Sequence, residues 1–145
     1  MNKMHFGSGV LLSLCVIFSA NAEDEMVTRA RSDAEMKTMA AEMNAACGTA
    51  VQVSIDWDSF AKSDWQDYSI PSYCGSPLET LTDFCRAEKG NSKAFIQKKV
   101  KEVACYYGGE GLRDLQVSDG TIKSIVDFQA PNLADFTRAA LLKRL

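Results

Sequence analysis

Ala104-Cys105-Tyr106-Tyr107, then Gly108-Gly109-Glu110-Gly111, then Leu112 to Val117, Ser118-Asp119-Gly120 and Thr121 to Gln129 form the stretch on which the fold turns. Its β-branched and aromatic residues fall into three runs separated by two glycine-bearing breaks, which reads as three strands. Asp119-Gly120 between alternating apolar residues is a hairpin signal, because both turn positions need positive φ. Gly108 to Gly111 reads as a hairpin loop that uses glycine for the same freedom. It is no phosphate cradle, since it lacks the lysine and hydroxyl residue of a P-loop and lies between strands. The expectation is a three-stranded antiparallel meander.

Helical spacing surrounds this stretch on both sides. Beyond Pro131, Asn132 caps a last helix with Leu133, Phe136, Ala140 and Leu141 or Leu142 turned inward. Upstream, Asn91 or Ser92 opens a helix that buries Phe95, Ile96 and Val100. Ser76-Pro77-Leu78-Glu79 reads as a capping box with proline at the first position, and the helix it starts buries Leu78, Leu81, Phe84 and Cys85. A second capping box, Ser32-Asp33-Ala34-Glu35, opens a helix carrying Met36, Met39, Ala40, Met43 and Ala46 on one face until Gly48. Ala50 to Ile55 alternates as a half-buried strand, and residues 56–75 are less regular. The fold class expected is α+β: an antiparallel sheet of about four strands, one early and three in the C-terminal meander, with helices packed on one face.

The first 22 residues have a different character. Lys3, the apolar run from Val10 to Phe18 and the small-x-small ending Ala20-Asn21-Ala22 read as a secretory signal peptide. The run is too short to span a bilayer, and no transmembrane segment is expected. Residues 23–145 then form a single domain. Cleavage after Ala22 removes Lys3, His5 and Cys15, so the remaining 123 residues of the 145 carry 15 Lys and Arg against 19 Asp and Glu, and no histidine. The balance of −4 argues against a nucleic-acid partner bound through a broadly basic surface. Losing histidine removes the imidazole base of serine and cysteine hydrolase triads.

Four cysteines remain: Cys47, Cys74, Cys85 and Cys105. An even count after an export signal reads as two disulfides, and no CxxC knuckle or histidine supports a zinc site. Cys85 stands nine residues above the Ser76 cap, about 13 Å of helical rise, whereas disulfide Cα atoms lie within about 7 Å. That argues against Cys74–Cys85. Of the two remaining schemes, Cys85–Cys105 with Cys47–Cys74 is preferred, because it ties helix to sheet and closes the loop after the first strand.

Candidate functional residues fall into three groups. From Arg86 to Lys101 six basic residues face one acid, while Glu23 to Asp67 holds ten acids and four bases; this lopsidedness suits steering of a charged partner. Lys93, Lys98, Lys99 and Lys101 are the candidate partner-binding residues. Trp57, Trp65, Tyr68 and Tyr73 are candidates for a small-ligand or glycan site, with Asp56, Asp58, Asp64 and Asp67 as the carboxylates from which a glycosidase-like pair would be drawn. Met36, Met39 and Met43 share a face that the helix must bury, so they read as core before copper ligands. No metal or cofactor is expected. The function these features favour is an exported, non-enzymatic domain, periplasmic or secreted, that binds another protein as a small inhibitor or immunity factor would. A glycan- or envelope-binding module is the second reading and a carboxylate enzyme the third.

Overall fold

A computed structural model describes residues 16–87, 91–129 and 133–144. Residues 1–15, which hold the start of the expected signal peptide, and Asn132, the expected cap of the last helix, lie outside the described residues. The chain divides into two compact units at Ala30 and Arg31. Within the first, Arg29 pairs with Glu25 one helical turn away at 2.6 Å.

The elements in order are α1 (Val16–Cys47), β1 (Gln52–Ile55), a 3₁₀ turn (Trp57–Ser59), α2 (Lys62–Asp67), α3 (Ile70–Cys74), α4 (Ser76–Arg86), α5 (Ser92–Lys99), β2 (Glu102–Tyr107), β3 (Asp114–Ser118), β4 (Thr121–Val126) and α6 (Leu133–Leu142). Among the described residues no helix is long and apolar enough to cross a membrane. The α+β class and the four strands are those expected. Helix α1 starts well before Ser32, however, so the first capping box is not a helix start. Residues 23–31 contain neither glycine nor proline, and nothing there breaks a helix. Ser32 is instead buried inside α1.

The sheet is mixed, which corrects the expected antiparallel meander. Its order is β1-β2-β4-β3, with β1 parallel to β2, β2 parallel to β4, and only β3 and β4 antiparallel. Asp119 (φ 52°) and Gly120 (φ 90°) form the expected two-residue turn between β3 and β4. The glycine loop does not fold β3 back beside β2. It carries the chain past the end of β4 to the far edge, where the Gly111 N–H donates to the buried carboxylate of Asp127 at 2.9 Å. Composition accounts for the order: β4 buries Ile122, Ser124 and Val126, whereas β3 buries only Leu115 and exposes Gln116 and Ser118. The more apolar strand takes the interior position and the more polar one the edge.

The parallel register gives the sheet two unlike faces. Val53, Ile55, Val103, Cys105, Tyr107, Leu115, Val117, Ile122 and Val126 share one face, and all belong to or pack against the core. The helices cover this side. Met36, Ala40, Met43 and Cys47 of α1 enter the core, as do Leu78, Leu81 and Cys85 of α4, Ile96 of α5 and Leu141 of α6. The methionine stripe is thus core packing. The opposite face carries Ser54, Glu102 and Thr121, whose hydroxyls donate to Glu102 at 3.0 and 3.3 Å, and Tyr106 beneath the Lys123 ammonium.

The disulfides are Cys47–Cys85 and Cys74–Cys105, with Cα atoms 5.1 and 5.5 Å apart. The preferred pairing of Cys85 with Cys105 and Cys47 with Cys74 is therefore wrong, although the exclusion of Cys74–Cys85 holds. The length of α4 is the reason. It separates Cys74 at its foot, beside β2, from Cys85 in its last turn, beside the end of α1, and each sulfur bonds the cysteine nearest to it. The Ser76 capping box does not form either. Gly75 precedes the helix without a side-chain cap, and the Ser76 hydroxyl donates to Thr137 of α6 at 3.2 Å.

Candidate binding groove and neighbouring surfaces

Three of the aromatic candidates, Trp57, Tyr68 and Tyr73, meet in one cluster. Phe128 lies at its centre, stacked on Tyr68 (4.4 Å between centroids, 1° between planes) and on Tyr107 (4.9 Å), with Tyr73 edge-on at 4.9 Å. Phe60 joins at 6.1 Å from Phe128, and Trp57 stands 6.1 Å from Phe60. Offset and edge-to-face contacts of this kind are how aromatic rings pack together. Trp65 belongs to α2, and its side chain lies outside the described part. The sequence reading missed Tyr107 and Phe128. Tyr107 is the third residue, after Val103 and Cys105, on the buried face of β2, a period-two signal that was there to use. Burial and the nearby carboxylates of Asp64, Glu110 and Asp127 hold its phenol above the ordinary tyrosine pKa.

The four acids of residues 56–67 do not share one role. Asp64 accepts the Ala61 N–H at 2.7 Å and so caps the start of α2, while Asp58 and Asp67 are exposed. Asp56 offers its main-chain carbonyl to the Ser59 hydroxyl at 2.6 Å. Among the described residues no group of three or more histidine, cysteine or acidic side chains is placed to hold a metal ion.

No family model, curated protein or solved structure matches the chain. Its surfaces are therefore read on their own chemistry.

Lys93, Lys98 and Lys99 project from α5 and Lys101 from the residue before β2, and all four are exposed. Lys98 and Lys99 occupy the last turn of α5, where the helix dipole favours cations. Among the described residues none of the four enters an ion pair, whereas Arg29 pairs with Glu25 and Arg138 with Asp83.

A different surface runs along the outer edge of β1. Gln52 donates its N–H to the Lys101 carbonyl and Asp56 donates to that of Cys105, both at 2.9 Å. Residues 52, 54 and 56 therefore turn their main-chain groups toward β2, and alternation turns those of Val51, Val53 and Ile55 outward. Asn44 of α1 satisfies Val51 completely. Its Oδ1 accepts the Val51 N–H at 2.8 Å and its Nδ2 donates to the Val51 carbonyl at 3.0 Å, with the Thr49 hydroxyl donating to Oδ1 at 2.7 Å.

Between α1 and this edge lie two abutting hollows. One of about 240 Å³ is walled by Asp33, Met36, Lys37, Val53, Ile55 and Trp57, and the second, of about 210 Å³, shares Lys37 and Val53 and runs on to Asn44 and Val51. The Trp57 indole N–H donates to Asp33 at 3.1 Å and ties the first hollow's far end to α1. A larger hollow of about 370 Å³ separates α1 from α4 and is walled by Met39 with Glu42, Glu79, Asp83 and Arg86.

The other edge of the sheet is protected at one N–H. The two-residue turn makes Ser118 and Thr121 a hydrogen-bonded pair, so alternation turns Leu115 and Val117 outward. The Asp114 carboxylate takes the Leu115 N–H at 2.8 Å and the Gln116 side-chain N–H at 3.0 Å. These two bonds, the Gln116 bond foremost, hold Asp114 below the usual carboxylate range.

Proposed function

We propose that the protein is an exported, non-enzymatic binding domain, periplasmic or secreted, whose target is another protein of acidic character. The observation that carries this reading is the lysine group of α5 and the entry to β2: four exposed ammonium groups without an ion pair among the described residues, on a chain of net negative charge. Such a group raises association rates with a negatively charged partner and repels positively charged ones. Two disulfides suit an oxidising compartment and hold the binding faces rigid. This is the build of a small inhibitor or immunity factor, which works by occupying a partner's surface.

The test is capture from envelope and culture-fluid fractions by the immobilised oxidised protein, with Lys98→Glu and Lys101→Glu as the probe variants. The expected result is stoichiometric recovery of an acidic protein, weakened by the double variant at low salt and by added salt for the unmodified protein. Capture that ignores both the charge reversals and the salt would remove the basic surface from the reading.

A further inference from the structure

We infer that the outer edge of β1 is a docking site for one extended, acid-bearing segment of a partner protein, which adds as a fifth strand between β1 and α1. This rests on the reading of the protein as a protein-binding domain and specifies the mode of binding. Three observations carry it.

The main-chain groups of Val53 and Ile55 face the groove, and no described residue is their partner, while Val51 next to them is fully paired by Asn44. The Asn44 carboxamide gives Val51 what a neighbouring strand gives, one donor and one acceptor at main-chain distances. The chain therefore closes the edge at one residue and leaves the next two outward positions open. Unprotected edges are commonly blunted by proline, bulges or inward charges, and β1 has no proline and an unbroken register with β2. At the β3 edge Asp114 occupies only the Leu115 N–H, so the groove beside β1, and not an open edge alone, singles out this site.

The groove has the shape that strand addition needs. Its floor is the open strand edge, one wall is α1, and its ends are marked by Asn44 and by the Asp33–Trp57 hydrogen bond. Asp33 and Asn44 are eleven residues apart on α1, roughly 16 Å, which matches about five residues of extended chain. Met36 and Val53 line it for side chains on one side of the added strand.

Charge selects the occupant. Lys37 lines both hollows and has no ion pair among the described residues, while Asp33 lines only the first, at the end marked by Trp57. A carboxylate at the middle of the incoming strand meets the Lys37 ammonium. The β1 strand of a second copy, Gln52-Val53-Ser54-Ile55, carries no carboxylate to meet Lys37.

The experiment uses the oxidised full chain, ¹⁵N-labelled, and a capped seven-residue peptide of alternating threonine and valine with a central glutamate. In the free protein the Val53 and Ile55 amides exchange fast and those of Gln52 and Ser54 slowly. With peptide, Val53 and Ile55 become protected. A peptide N-methylated at alternate residues loses about tenfold or more in affinity, as expected from two or three missing main-chain bonds, and Lys37→Glu turns the preference from the glutamate peptide to its lysine counterpart. Slow exchange at Val53 and Ile55 in the dilute free protein would overturn the proposal, as would peptide binding that leaves these amides unprotected. Protection that rises with protein concentration without peptide would replace the partner strand by a second copy. Edge binding is read from protection of the Val53 and Ile55 amides, and the lysine surface from salt-sensitive capture of the whole partner. Loss of edge binding with salt-sensitive capture retained would thus sink this mode alone, and loss of capture with edge binding retained would sink the lysine surface alone.

Discussion

Asn44 and Val51 meet through two hydrogen bonds in opposite senses, so that one side chain of α1 stands in for a whole strand residue at the edge of the sheet. The bond from Thr49 to the same Oδ1 fixes the amide's orientation. The turn between α1 and β1 is thereby fastened at the point where the sheet begins.

Asn44→Ala is expected to lower stability by about 2 kcal/mol, because it breaks both bonds and strands half-buried main-chain groups. Asn44→Asp keeps the acceptor and loses the donor, so it should fall between. Urea unfolding of the oxidised protein checks this; a midpoint unchanged by the alanine variant would mean that water replaces the carboxamide at no cost.

Peptide mapping of the unreduced protein should recover Cys47 linked to Cys85 and Cys74 linked to Cys105. The sequence separations are 38 and 31 residues, and on the chain-entropy view either crosslink is worth about 4 kcal/mol. Replacing one pair by alanines should therefore cost a similar amount by either choice. A large loss from one pair and none from the other would show that burial, and not loop closure, dominates.

Phe128 holds Tyr68, Tyr73 and Tyr107 around one ring. Phe128→Ala is expected to cost about 3–5 kcal/mol, and Phe128→Leu less. Near-ultraviolet circular dichroism should lose most of its tyrosine signal in the alanine variant while the far-ultraviolet spectrum stays. A tyrosine signal that survives would mean that the three rings pack without the fourth.

Asp114 is held below its unfolded pKa by the bonds from Gln116 and Leu115. A carboxylate depressed in the folded state contributes stability that is present above its unfolded pKa and lost as pH falls through the folded one. Stability between neutral pH and about pH 4 should thus exceed that in stronger acid. Asp114→Asn should flatten this acid limb without altering the limb above neutrality. An acid limb as steep in Asp114→Asn as in the parent would assign it to other carboxylates.

Much of the fold was legible because it is local. Met36, Ala40 and Met43 announce a buried helical face by spacing alone, and Asp119-Gly120 announces a tight turn by the φ values it needs. The order of the strands was not legible by the same means. Whether the chain after Gly108 turns back beside β2 or passes to the far edge depends on which of β3 and β4 is better buried, a comparison between segments and not a property of either. The disulfides failed for a related reason: the rise of α4 excludes one pairing, but choosing between the other two needs the position of α1, far off in sequence. Among candidate site residues, the exposure of the lysines followed from charge, whereas the open edge at Val53 and Ile55 depends on Asn44 taking only Val51. Nothing in the spacing of Asn44 and Val51 marks that bond in advance.

The two crosslinks overlap along the chain, since Cys74 lies inside the span of the first and Cys85 inside the span of the second. Any single backbone cut between Cys47 and Cys105 therefore falls within at least one closed loop. A protease can nick this central stretch, which includes β1 and all of α2 to α5, once without releasing a fragment. Only single cuts before Cys47 or after Cys105 shorten the molecule, so gel analysis of a digest with and without reductant separates this pairing from Cys47–Cys74 with Cys85–Cys105, in which a cut between Cys74 and Cys85 would release a fragment.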